Sequence, residues 1–131
     1  MQKGDYPPFN KNSNSGLWRI LLYRESVRTK QVLISFIVTE GHEISQEIKS
    51  TLVSTFTTEP IGDRKVVSLS IIYSNDISGG YKETDRLEIL YGENYYEEII
   101  FGITFRVSPF AFFQVNTPVF EKMLTQIKDF A

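Results

Sequence analysis

Two carboxamides, Gln114 and Asn116, follow the aromatic run Phe110, Phe112 and Phe113 and lie just ahead of Thr117 and Pro118. A carboxamide carries a donor and an acceptor on one planar group, which suits reading a nucleobase edge or holding a ligand beside the free N–H groups of a helix start. Phe112 or Phe113 offers the flat apolar wall against which a base turned out of its stack can rest. The same residue types also suit a buried aromatic corner whose amides satisfy turn backbone, and the residues alone leave both readings open. A second grouping is basic. Arg19, Arg24, Arg28 and Lys30 fall close together, where they could line one end of a hairpin and meet phosphates, or form its solvated rim.

Other chemistry is thin. The chain has no cysteine, which excludes a disulfide framework, a thiolate zinc site, an iron–sulfur cluster and a cysteine nucleophile within these residues. Its one histidine, His42, has no companion of metal-ligand spacing, so no metal is expected. Glu97 and Glu98 are adjacent on an expected strand and point to opposite faces, so they read as solvated strand charge rather than an acid/base pair. Gly79, Gly80 and Gly92 lack the spacing of a phosphate loop and read as turn glycines.

The elements that must position these groups follow from periodicity. Residues 1–16, with Pro7, Pro8 and a run of Asn and Ser, are a flexible lead-in with few apolar groups. Residues 17–23 and 31–39 are strands, the second with Val32, Ile34, Phe36 and Val38 at every other position, joined by a short basic hairpin link. Ser45 caps a helix in which Ile48, Leu52, Val53 and Phe56 recur at spacings of three and four. Strands follow at 66–74, 86–91, 95–100 and 103–107, with the later half of the chain read as antiparallel sheet. Thr117 and Pro118 then open a helix lined by Val119, Phe120, Met123, Leu124 and Ile127, a stripe that needs a partner. The expected fold class is α+β: an antiparallel sheet, one packed helix, and a C-terminal helix leading into a domain not present here. At 131 residues with 41% hydrophobic and 23% charged side chains, the chain can bury one core. Its charge is uneven. Residues 1–30 hold six basic and two acidic groups against eight and fourteen in the rest, and the net −2 provides no overall basic field. No secretory apolar core and no stretch near the roughly 20 apolar residues of a membrane span occurs, so an intracellular protein without membrane contact is expected.

Residues 105–117, which read Phe-Arg-Val-Ser-Pro-Phe-Ala-Phe-Phe-Gln-Val-Asn-Thr, closely resemble the junction segment of the S-adenosylmethionine-dependent RNA uracil-5-methyltransferases. That pattern runs Phe-x-x-Ser-Pro, then Phe-x-Gln-x-Asn. Leu90, Tyr91, Gly92, Tyr95, Glu98 and Gly102, together with Trp18 and Arg19, are similar to the eukaryotic transfer-RNA branch. The resemblance implies a central α+β domain at 17–116 and, at 117–131, a helix opening the methyltransferase domain. It implies that Phe112 and Gln114 lie beside the flipped uracil and the methyl donor, with Asn116 fixing the turn. It implies tRNA and the remainder of the parent enzyme as partners and S-adenosylmethionine as cofactor of the complete enzyme, while Arg19, Arg24, Arg28 and Lys30 are candidate RNA backbone contacts on their charge alone. The family's attacking cysteine, its glutamate base and its glycine-rich turn have no counterparts here, so these residues alone do not perform the family's chemistry. A stand-alone RNA-binding or regulatory module and a pure scaffold segment are the alternatives.

Overall fold

The computed structural model describes residues 8, 10, 12–13, 16–41, 43–76, 81–82, 85–111 and 117–130. Their elements run β1 (Trp18–Glu25), β2 (Gln31–Thr39), α1 (Gln46–Thr57), β3 (Lys65–Ser74), β4 (Arg86–Gly92), β5 (Tyr96–Ile100), β6 (Ile103–Val107) and α2 (Thr117–Phe130). Strands β1 to β4 form one sheet in that order, and β5 with β6 forms a separate ribbon. This is the α+β class expected, with antiparallel pairing in β1–β2, β3–β4 and β5–β6. The pair β2–β3 is parallel. Helix α1 lies between these two strands in the chain and returns it to the edge from which β2 started, the connection that parallel neighbours require.

Strand β2 is buried from Val32 to Val38 without a break, the pattern of a strand covered on both faces. On one face Val32, Ile34, Phe36 and Val38 meet Leu69, Ile71 and Tyr73 beneath α1, which contributes Leu52, Ile48, Val53 and Phe56. Ser45 caps that helix as expected, its hydroxyl accepting the Ile48 N–H at 3.3 Å. Lys49 reaches Glu88 on β4 at 2.8 Å, and the Tyr73 hydroxyl donates to the same carboxylate at 2.6 Å. These two donors, Lys49 first, hold the Glu88 carboxyl below the usual range. Burial, then the bond to Glu88, pushes the Tyr73 hydroxyl up.

On the opposite face Leu33 packs with Tyr96 and Val107, joined by Leu22, Val67 and Ala111, so the β5–β6 ribbon lies against the start of β2. Phe101 and Gly102, both at positive φ (51° and 76°), close the ribbon as a two-residue hairpin turn requires. Helix α2 leaves Val119, Met123 and Ile127 exposed at intervals of four, one apolar stripe along its length. No helix among the described residues is long and apolar enough to cross a membrane.

Candidate functional site

The path to the carboxamides begins where β6 ends. Ser108 to Ala111 form a turn closed by the Ala111 N–H on the Ser108 carbonyl at 3.1 Å, with Pro109 buried inside it. The Tyr81 hydroxyl donates to the Pro109 carbonyl at 3.0 Å, and its ring meets that of Phe110 with centroids 6.0 Å apart. Arg24 of β1 donates one guanidinium N–H toward the Ser108 and Ala111 carbonyls. Phe112, Gln114 and Asn116 lie outside the described residues, as does His42.

Beyond that stretch α2 is fastened to the turn between β1 and β2. Arg28 forks onto Glu121, with Nη2 to Oε1 at 2.6 Å and Nη1 to Oε2, and Nη1 also meets the Ile99 carbonyl at 2.8 Å. The Phe101 N–H donates to Glu121 Oε2 at 2.7 Å. Arg28, and after it the Phe101 amide, draws the Glu121 carboxyl down from the ordinary 4.5 to about 2. Because the docked carboxyl resists protonation, this anchor is complete above pH 4.5 and is lost as pH falls toward 2, where the undocked form takes up the extra proton. The Phe101 amide resonance in an NMR titration is therefore expected to report a midpoint near 2, returning toward 4.5 in Arg28→Gln. A midpoint of 4.5 in the unaltered chain would show that the fork does not form in solution.

The four expected backbone-contacting cations do not share one place. Arg24, Arg28 and Lys30 cluster at the β1–β2 turn, whereas Arg19 sits at the far end of β1, its Nε donating to Thr39 Oγ1 at 3.0 Å and another N–H to the Asp76 carbonyl. The length of the strand separates them. Lys30 meets the exposed Asp63 carboxylate at 3.2 Å. Among the described residues, no cluster of three or more His, Asp or Glu side chains could hold a metal ion.

The reading of Glu98 as solvated charge is overturned. Glu98 is 2% exposed, and its Oε1 accepts the Ser26 hydroxyl at 2.7 Å and the Ile99 N–H at 3.0 Å. The alternation that separates it from Glu97 also puts it on the face of the buried Tyr96 and Ile100, and that periodicity was the signal available in the sequence. Ser26 in turn accepts the N–H groups of Arg28 and Thr29 at 3.2 and 3.0 Å, so a buried serine and glutamate shape the turn that presents Arg28.

No family model matches the chain. It is 32% identical over 128 residues to the human tRNA (uracil-5-)-methyltransferase homolog A, covering 96% of this chain and 20% of that protein. The mouse homolog A matches at 32% over 130 residues, 96% of this chain and 21% of that protein. Along 96% of its length this chain matches one fragment of the tRNA (uracil-5-)-methyltransferase family. It spans about a fifth of the length of those two curated relatives. An uncharacterized RNA methyltransferase of Clostridium tetani, a wider relative, is 26% identical over 125 residues, covering 95% of this chain and 26% of that protein. The fold is also that of part of the Pyrococcus abyssi tRNA (uracil-54, C5)-methyltransferase, solved in complex with S-adenosyl-L-homocysteine. That likeness has a TM-score of 0.63 at 18% identity and covers 92% of this chain and 26% of that one.

Proposed function

We propose that residues 17–116 are the central α+β domain of a tRNA uracil-5-methyltransferase, with 1–16 a lead-in and 117–131 the helix that opens the catalytic domain. The domain positions RNA and walls the pocket in which a flipped uracil meets the methyl donor. The observation that carries this reading is the match along 96% of the chain to the human tRNA (uracil-5-)-methyltransferase homolog A. In this reading Gln114 hydrogen-bonds in the pocket and Phe112 packs beside it. A uracil edge presents two carbonyl acceptors flanking an N–H donor, which one carboxamide can satisfy as donor and acceptor together. The same donor set and aromatic wall fit S-adenosylmethionine, which when bound to the complete enzyme supplies the methyl group. The attacking cysteine comes from outside these 131 residues, which contain none. Of the basic four, Lys30, paired with the exposed Asp63, is best placed to exchange its partner for an RNA phosphate.

The test is Gln114→Ala in the methyltransferase that carries this segment. Methyl transfer to uracil in tRNA is expected to fall about tenfold, the loss of one to two hydrogen bonds made to the reacting base, with the melting temperature unchanged. Unchanged turnover would remove Gln114 from the pocket.

A further inference from the structure

Helix α1 covers only part of the sheet it crosses. Its 12 residues extend about 18 Å, whereas the 10 of β3 extend about 33 Å, so the sheet where β3 starts lies beyond the last helical turn. A groove of about 240 Å³ opens there. It is lined by the buried Val66 and by two aromatic rings, Phe56 from the last turn of α1 and Tyr91 from the edge strand β4. Phe36 braces the Phe56 ring from the core with centroids 5.8 Å apart, while Tyr91 is 36% exposed. The cations at this end of the sheet are engaged with one exception. Lys30 meets Asp63 at 3.2 Å and Arg64 meets Glu25 at 3.0 Å, but Lys65, exposed and lining the groove, has no carboxylate in reach among the described residues. Its backbone N–H donates to the Lys30 carbonyl at 2.9 Å, so the free ammonium stands on the neighbour of the lysine already assigned to a phosphate. Glu59 also lines the groove, an acceptor suited to the amino group of a base.

We propose that this groove is a stacking subsite for one unpaired base of the tRNA, which rests against Phe56 and Tyr91 while its phosphate meets Lys65. The inference rests on the tRNA reading above and deepens it, naming a contact made by residues other than those of the uracil pocket. Every base has a flat apolar face, so an aromatic groove holds RNA without reading its sequence. The volume is below the roughly 300 Å³ at which pockets for drug-sized ligands begin, and one planar ring system is what it can take. An apolar side chain of a protein partner would fill the same walls but would gain nothing from an unpaired cation at the rim. Stacking and phosphate contact also differ in salt dependence, because only the second releases counterions.

The experiment measures the Kd for tRNA over a range of salt in Tyr91→Leu, Tyr91→Phe and Lys65→Gln of the complete methyltransferase that carries this segment. Tyr91→Leu keeps an apolar wall without a ring and is expected to weaken binding about tenfold at every salt concentration. Tyr91→Phe keeps the ring and is expected to stay within about twofold of the unaltered protein. Lys65→Gln is expected to weaken binding and to make the salt slope shallower by about one. Unchanged affinity in Tyr91→Leu, or an equal loss in Tyr91→Phe, would overturn the stacking. An unchanged slope in Lys65→Gln would remove the phosphate contact and, with it, RNA as the occupant of the groove. Should Tyr91→Leu not fold, the exposed Lys65 still decides the question, since its replacement breaks no contact within the described residues. Absence of tRNA binding by the unaltered protein would remove the tRNA reading itself, whereas binding that no variant disturbs would remove the groove alone.

Discussion

Gly92→Ala is expected to destabilise the fold by about 3 kcal/mol or more, lowering the melting temperature by roughly 10 °C. The residue sits at φ 72°, and a Cβ built on it would lie 2.0 Å from the Val67 carbonyl oxygen and 2.9 Å from its carbon. Those atoms are backbone near the start of β3, so no side-chain rotation relieves the clash. The same carbonyl accepts the Glu93 N–H at 3.0 Å, which closes the end of β4 onto β3. Val67 is itself the residue skipped by the register shift between Val32 and Leu33, and a second shift against β4 falls between Leu69 and Ser70. Gly102 is the internal control. It has a similar φ of 76° but nothing within 4 Å of its built Cβ, so Gly102→Ala is expected to cost only the backbone strain, about 1 kcal/mol. Urea unfolding of the two variants measures the difference, and equal losses would show that the Val67 contact is not what Gly92 serves.

Strands and helices were legible wherever one periodicity governed a run: the alternating apolar residues of β2, the cap and three-and-four spacing of α1, the stripe of α2. Pairing was less so. Nothing local to β2 or β3 distinguishes a parallel neighbour from an antiparallel one, because the direction is decided by where α1 delivers the chain. Nor does the pattern of β5 and β6 reveal that they form their own ribbon behind the sheet, since a half-buried strand alternates alike in either place. The residues that carried the family likeness divide in a similar way. Gly92 and Gly102 serve backbone turns, Glu98 is a buried acceptor, Trp18 packs edge-on to Phe36 with centroids 5.9 Å apart, and Tyr95 lies under the Arg106 guanidinium at 4.7 Å. A short motif can therefore mark a family through residues that build the platform. Arg24 and Arg28, expected on a nucleic-acid surface, were legible as charge, but their acceptors come from residues roughly 70 to 90 positions away, a range over which spacing carries no signal.

Ser26→Ala is the second large effect expected, a loss of about 2 to 3 kcal/mol from removing one oxygen atom. The hydroxyl is fully buried and serves three partners, donating to Glu98 and accepting from the amides of Arg28 and Thr29. Alanine leaves the Glu98 carboxylate with one donor fewer in a site closed to water, and leaves two N–H groups of the turn without that acceptor. The cost thus exceeds that of an ordinary surface hydroxyl, which is close to nothing. Glu98→Gln can turn its amide to keep an acceptor toward Ile99 while removing the carboxylate, so in the double variant the two losses are expected to overlap rather than add. Strict additivity in chemical denaturation would mean that Ser26 and Glu98 do not act together. The consequence reaches beyond stability, because Ser26 shapes the turn that aims Arg28 at Glu121. In Ser26→Ala the Phe101 amide titration is expected to drift from about 2 toward 4.5, the direction also expected when Arg28 itself is replaced. A stability loss with that midpoint unmoved would separate the buried pair from the anchoring of α2, and would leave the arginine fork to find its geometry from the helix side alone.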